Sequence, residues 1–146
     1  MKPQSDGPTV SKESFKILMA IAANNNFKLA SVDIRVAFLQ AKVFDREIFM
    51  KPHEDFRMPG TIWKLRKPLY CLENTSRKFW LKVKEVFLDL RLRVMDRDEA
   101  FYYLHEDSDL KGVVQTDIDD FFLAGTPEFV EMVIQGLSES LIVSKV

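Results

Sequence analysis

Two apolar runs flanking a pair of carboxylates constrain this chain more than any other stretch: Val113-Val114-Gln115-Thr116-Asp117-Ile118-Asp119-Asp120-Phe121-Phe122-Leu123-Ala124-Gly125. Val, Phe and Leu on both sides of a polar centre predict a strand, a tight acidic turn and a returning strand, with charge at the hairpin tip. Two adjacent carboxylates on a buried hairpin are costly unless a cation or hydrogen bonds compensate them. Oxygen donors of this kind suit a hard divalent metal. Read alone, Asp119-Asp120 is more simply a solvated turn, because Asp is common in turns and the pair is a short motif.

A second acid upstream shifts that balance. In Leu29-Ala30-Ser31-Val32-Asp33-Ile34 the run before Asp33 reads as another strand, with the carboxylate at its end. Side by side, the two strands bring three carboxylates together. Such a cluster can hold two Mg²⁺ ions about 4 Å apart, the arrangement that stabilises attacking and leaving oxygens in phosphoryl or nucleotidyl transfer. Without metal the same patch repels itself.

Three ordered blocks then carry a resemblance. DIRVAFLQA at 33–41, LYCLENTSRKFW at 69–80 and DIDDFFLAG at 117–125 are similar to the motifs of the reverse transcriptase of copia-type long-terminal-repeat retrotransposons. REIFMKP at 46–52 and IWKLRKPLY at 62–70 resemble the family's connectors, and the match runs from about Pro8 to the end. The resemblance implies an RNA-directed DNA polymerase that adds deoxynucleotides to a primer 3′-hydroxyl with two Mg²⁺ (or Mn²⁺) ions. By that likeness Asp33, Asp119 and Asp120 are the catalytic carboxylates and the carbonyl of Ile34 is a further metal ligand. Phe38, five residues after Asp33, stands where the family carries a ring that blocks the 2′-hydroxyl of an incoming nucleotide, and its other reading is core packing. Tyr70 and Arg77 fall beside template and nucleotide, although Arg77 is equally a solvent-facing arginine. Departures from the family pattern are Ala41, Cys71, Thr75, Phe79 and Asp117. Asp117 lies two residues before Asp119, on the same side of an extended strand, where a further carboxylate either adds repulsion or adds a ligand.

The chain of 146 residues, 47% hydrophobic and 29% charged, suits one folded domain with its own core. A loose lead-in is expected over 1–8 and a partial reverse transcriptase domain over 9–146. The family's layout leaves most of the fingers, the thumb and the ribonuclease H region to other segments of a parent polyprotein, so polymerisation by this stretch alone is expected to be impaired. The lone Cys71 permits no internal disulfide, and no apolar run reaches the length of a membrane span, so a soluble intracellular protein, cytoplasmic or nuclear, is expected. His53 and His105 have no zinc-ligand spacing. The net charge of −1 hides an asymmetry: residues 57–97 hold 11 Lys and Arg against 4 Asp and Glu, and residues 98–146 hold 2 against 11. A basic segment beside an acidic hairpin suits a grip on a phosphate backbone, the partners implied being an RNA or DNA template-primer and deoxynucleotide triphosphates. The alternatives are a non-catalytic nucleic-acid-binding module, or an inert remnant or interaction domain with the same fold.

Helical periodicity runs from Ser11, with Phe15, Leu18, Met19 and Ala22 on one face and Asn24-Asn25-Asn26 closing it, and again from Ser76 to Leu90 and after Thr126-Pro127. Strands are expected at 27–33, 47–50, 61–65, 100–105 and 112–117, all in one sheet. Together they predict an α+β fold, a palm-like (ferredoxin-like) antiparallel sheet with helices packed on one face.

Overall fold

A computed structural model describes residues 7–41, 47–56, 58–67 and 75–145. The first helix, α1 (Lys12–Asn25), starts where Ser11 accepts the Ser14 N–H at 3.0 Å and stops at Asn26, which takes the left-handed conformation. The Ser14 hydroxyl in turn donates to Asp98 Oδ2, pinning the helix start to a distant strand. The chain doubles back at once into β1 (Lys28–Ile34) and leaves it through a 3₁₀ turn, Ala37–Gln40. Two short strands follow, β2 (Phe49–Met50) and β3 (Trp63–Lys64), then α2 (Thr75–Asp89), whose buried residues include Phe79, Trp80, Val83 and Phe87. Next come β4 (Arg93–Met95), β5 (Asp98–Glu106), β6 (Asp109–Asp117) and β7 (Asp120–Gly125). Thr126 caps α3 (Pro127–Ser140), with Pro127 in its first turn, and β8 (Val143–Lys145) ends the fold.

Six strands form one antiparallel sheet in the order β4-β5-β6-β7-β1-β8. Within it, β1-α2-β6-β7-α3-β8 traces a βαββαβ path with strand order β8-β1-β7-β6, and the β4-β5 hairpin is added at the β6 edge. The β5–β6 connection is a two-residue turn in which Asp107 and Ser108 have φ of 49° and 72°, the pair of positive angles that matches the twist of the flanking strands. The protein is therefore α+β, as expected from the sequence.

The placement of the helices is not as expected. One core lies between the sheet and α2 and α3, built from residues such as Val32, Phe87, Tyr102, Phe121, Val133 and Leu137. A second core lies on the opposite face, where Leu18 and Ala22 of α1 meet Phe101, Val113 and Ala124. Helices thus cover both faces rather than one. The reason is in the central strands: residues 112–116 of β6 are all buried, so the face away from α2 and α3 is apolar too and requires its own cover. The buried stripe of α1 is Ser14, Leu18 and Ala22, with Phe15 and Met19 at its exposed margins, a rotation from the expected face. A second correction concerns β2 and β3, which pair only with each other and make a separate two-stranded sheet instead of extending the main one.

At one end of the sheet Gly112 and Gly125 lie opposite each other under the ring of Phe129. A Cβ on Gly125 would stand 2.3 Å from Phe129 Cδ1, 2.8 Å from the Lys111 carbonyl oxygen and 3.0 Å from Gly112 Cα. The three atoms nearest a Cβ on Gly112 all belong to the Phe129 ring, the closest at 2.2 Å. We expect Gly125→Ala to destabilise the fold by about 1–3 kcal/mol in urea unfolding, because backbone stands in the way. In a Phe129→Leu background the penalty of Gly112→Ala should shrink, while that of Gly125→Ala should persist.

Candidate functional site

Strand pairing decides which acids meet. In the β1–β7 ladder Asp33 lies opposite Asp120, and in the β6–β7 ladder Asp117 lies opposite the same Asp120. Three carboxylates therefore form a row across β6, β7 and β1 at one end of the sheet. Alternation along the strands puts the row on the α1 side, since Val32, Ile34, Thr116 and Phe121 fill the other face. Asp119 sits in the turn between β6 and β7, and its carbonyl oxygen accepts the Ile34 N–H at 2.8 Å. The turn is thereby tied to the end of β1. Side by side was the arrangement the sequence suggested, but the register partner of Asp33 is Asp120, with Asp119 reaching β1 through its backbone.

Two β-branched residues border this end in a conformation they rarely adopt: Ile118 has φ of 32° beside Asp119, and Val36 has φ of 46° at the start of the turn after β1. Strain of this kind costs on the order of 1–3 kcal/mol per residue and persists only where surrounding structure enforces it.

The carboxylates affect one another. The pKa of Asp120 is raised by partial desolvation first, then by the charges of Asp119, Asp33 and Asp117. Asp33 is engaged from the far side by Ser144 of β8, whose hydroxyl contacts Asp33 Oδ2 and lies 3.2 Å from its carbonyl oxygen. Oxygen donors, mutual repulsion and partial exposure suit a hard divalent cation, which would relieve the repulsion that raises Asp120. Among the described residues, however, no three or more His, Cys, Asp or Glu side chains are gathered as a ready-made metal site. The chemistry of the donor set fits a metal, and its side chains are not drawn into a coordination shell.

The other expected site residues belong to other elements. Phe38 lies on the 3₁₀ turn, half-buried against the core shared with α2 and α3. Arg77, on the first turns of α2, holds its guanidinium 5.2 Å from the Trp80 ring centroid, and Lys84 lies 4.7 Å from the same ring. Tyr70 and Cys71 lie outside the described residues.

Two residues that sequence reading did not single out hold the site's frame. The Gln40 side chain donates to the carbonyls of Arg35 at 2.6 Å and Ile142 at 3.1 Å and accepts from the Ile142 N–H at 2.6 Å. It joins the turn bearing Phe38 to the chain entering β8. Lys82 of α2 donates to the Gln40 carbonyl at 3.0 Å. No local pattern signals such contacts, since Gln40 and Ile142 are separated by 102 positions. Beneath α1 the Gln115 side chain is fully buried, with neither amide atom hydrogen-bonded. In the main core the Tyr102 hydroxyl is likewise buried, and its pKa is raised by that burial and by the charge of Glu99, with the Trp80 indole acting in the other direction.

An α+β fold with carboxylates massed on neighbouring strand ends of its antiparallel sheet is the frame the comparisons have to fit. Comparison with known proteins gives the family: residues 4–142 match the reverse transcriptase (RNA-dependent DNA polymerase) model, and the chain belongs to that family. It is similar to the retrovirus-related Pol polyprotein from transposon RE1 of Arabidopsis thaliana, 22% identical over 136 residues, covering 90% of this chain and 9% of that protein. It is also similar to the Pol polyprotein from transposon TNT 1-94 of Nicotiana tabacum, 23% identical over 121 residues, covering 81% and 9%. The Pol polyprotein from transposon RE2 of Arabidopsis thaliana is 24% identical over 109 residues, covering 66% and 7%. The chain thus spans less than a tenth of the length of these relatives, and no solved structure matches it. The copia-type resemblance drawn from the three motifs is borne out by these matches. Among the described residues no helix is long and apolar enough to cross a membrane.

A carboxyl whose pKa is higher in the folded chain than in the unfolded one holds its proton more tightly when folded. Its charge therefore works against folding once the pH has risen through the folded value. Asp120→Asn should raise the melting temperature at neutral pH, by on the order of 1 °C for so exposed a group. The gain should vanish below the ordinary carboxylate range, where both proteins are neutral there. A scan of melting temperature against pH checks the sign.

Proposed function

We propose that this chain serves as the palm of a reverse transcriptase, supporting transfer of a deoxynucleotide onto a primer 3′-hydroxyl opposite an RNA or DNA template. The observation that carries this reading is the pairing of Asp33 with Asp120 across β1 and β7, beside the Asp119 turn, in a chain of the reverse transcriptase family. The βαββαβ path, with α2 and α3 on the face opposite the acids, supports a palm-like, ferredoxin-like frame. Asp33, Asp119 and Asp120, with the Ile34 carbonyl, would hold two Mg²⁺ or Mn²⁺ ions. Those ions, when bound, make the 3′-hydroxyl more acidic and neutralise charge on the triphosphate.

The protein's own groups prepare that site. The Asp119 carbonyl bond to Ile34 fixes the turn against β1, and Ser144 fixes Asp33 from the other side. Phe38, packed against the core shared with α2 and α3 and carried on a turn that Gln40 staples, would in this reading bar a 2′-hydroxyl. Arg77 is the proposed phosphate contact and Tyr70 the support of the nucleotide pocket. Residues 9–146 act in this reading together with fingers, thumb and ribonuclease H segments of a longer polyprotein.

A second reading, binding nucleic acid without catalysis, is favoured by one observation: the side chains of the row are not gathered into a metal shell. Calorimetric titration with Mg²⁺ and Mn²⁺ separates the two. We expect a binding isotherm with the native chain and its loss in Asp119→Asn. Absence of binding in the native chain would overturn the metal-dependent reading and leave the second. Where primer extension is measurable, Phe38→Ala should admit ribonucleotides, and unchanged sugar selection in single-nucleotide incorporation would remove the gate.

A further inference from the structure

The α1 side of the sheet is covered unevenly. The helix packs mainly along β6 and β7, and its cover thins towards the outer hairpin of β4 and β5. Side chains of β5 record this: Phe101 is 1% exposed, Tyr103 is half-buried and His105 is exposed. A cavity of about 480 Å³ opens beside the helix, lined by these three together with Ile21 of α1, Met95 of β4 and Val113 of β6. The Tyr103 and His105 rings meet edge to face within its lining, 5.4 Å between centroids. No member of the acidic row contributes to it. Val113 and Asp117 are four residues apart on β6, about 13 Å along an extended strand.

Size and lining suit a small molecule, since such sites hold roughly 300–1,000 Å³ and are mostly apolar with a few polar groups that fix orientation. Aromatic and aliphatic side chains favour a flat apolar body. The polar groups come from the turn between β4 and β5, which adds Asp96 and Arg97 to the lining. They are adjacent, opposite in charge and exposed. Among the described residues neither side chain has an ion-pair or hydrogen-bond partner, and the two do not pair with each other. A carboxylate and a guanidinium left side by side in this way are complementary to a molecule that carries both charges on one carbon. A simple acid would set its carboxylate against Asp96, and a simple amine its ammonium against Arg97, so each is disfavoured by one of the two.

We propose that this cavity is a binding site for a small zwitterion with a planar apolar body, the chemistry of an aromatic amino acid. The ring system lies among Phe101, Tyr103 and Val113, the ammonium meets Asp96 and the carboxylate meets Arg97. The site uses none of the acidic row and is independent of the polymerase reading.

The test is an NMR titration of the isotope-labelled full chain with L-tryptophan, with indolepropionate, which lacks the ammonium, and with tryptamine, which lacks the carboxylate. We expect saturable shifts at the amides of Phe101, Tyr103 and Val113 with L-tryptophan. The other two probes should bind about three- to fivefold more weakly, the scale of one solvent-exposed ion pair. Asp96→Asn should erase the preference over indolepropionate alone, and Arg97→Gln the preference over tryptamine alone. Comparison of the three probes on the native chain decides the proposal even where a variant is unstable. No saturable shift at those amides, shifts confined to other residues, equal affinity for the three probes, or preferences unchanged in folded Asp96→Asn and Arg97→Gln would each overturn the site.

Discussion

The ladder between β1 and β7 is the constraint on which the rest of the structure depends, because it places Asp33 against Asp120 and must hold them there. Two carboxylates on facing strand positions, about 5 Å apart, repel by about 1 kcal/mol when well screened by water. The same two strands bury Val32, Ile34, Phe121 and Leu123 completely or nearly so, each contributing about 1.5–3 kcal/mol. The apolar term wins by a wide margin. Hydrophobic register, fixed along the ladder, imposes an electrostatic arrangement at its end that the acids alone would not choose. The backbone bond from Ile34 to Asp119 and the Ser144 contact to Asp33 are the local fastenings of that arrangement.

What was legible in the sequence follows the same physics. The hairpin at 113–125 could be read directly, because long apolar runs about a short polar centre admit few alternatives, and the strand ending at Asp33 emerged from the same kind of pattern. Helix ends were legible at Ser11 and at Thr126-Pro127, where capping chemistry is local. The helix covering the second face was not. A strand buried on both sides, such as β6, shows no alternation, so Val113 and Val114 look alike in sequence although they belong to different cores. The isolation of β2 and β3 was equally hidden, since strand character says nothing about which edge a strand will join. Gln40 and Ser144 act through contacts across 102 and 111 positions, and a single sequence carries no trace of such pairs.

The two ends of the central hairpin are built on opposite principles. At the far end, Gly112 and Gly125 remove side chains so that Phe129 of α3 can lie against bare backbone, and the Thr126 N–H closes on the Lys111 carbonyl at 2.9 Å. At the acidic end, side chains are retained where they are least comfortable: four carboxylates within each other's influence, and Ile118 and Val36 in a left-handed conformation. Glycine at 36 or 118 would relieve the backbone, and its absence makes these turns stiffer than turns of the same shape need to be. Close packing at one end supplies the free energy that tolerates strain and repulsion at the other. A sheet arranged in this way keeps its carboxylates apart from any collapse into the core, yet does not let them move away from one another. Apolar register, and not any attraction among the acids, is what holds the row in place.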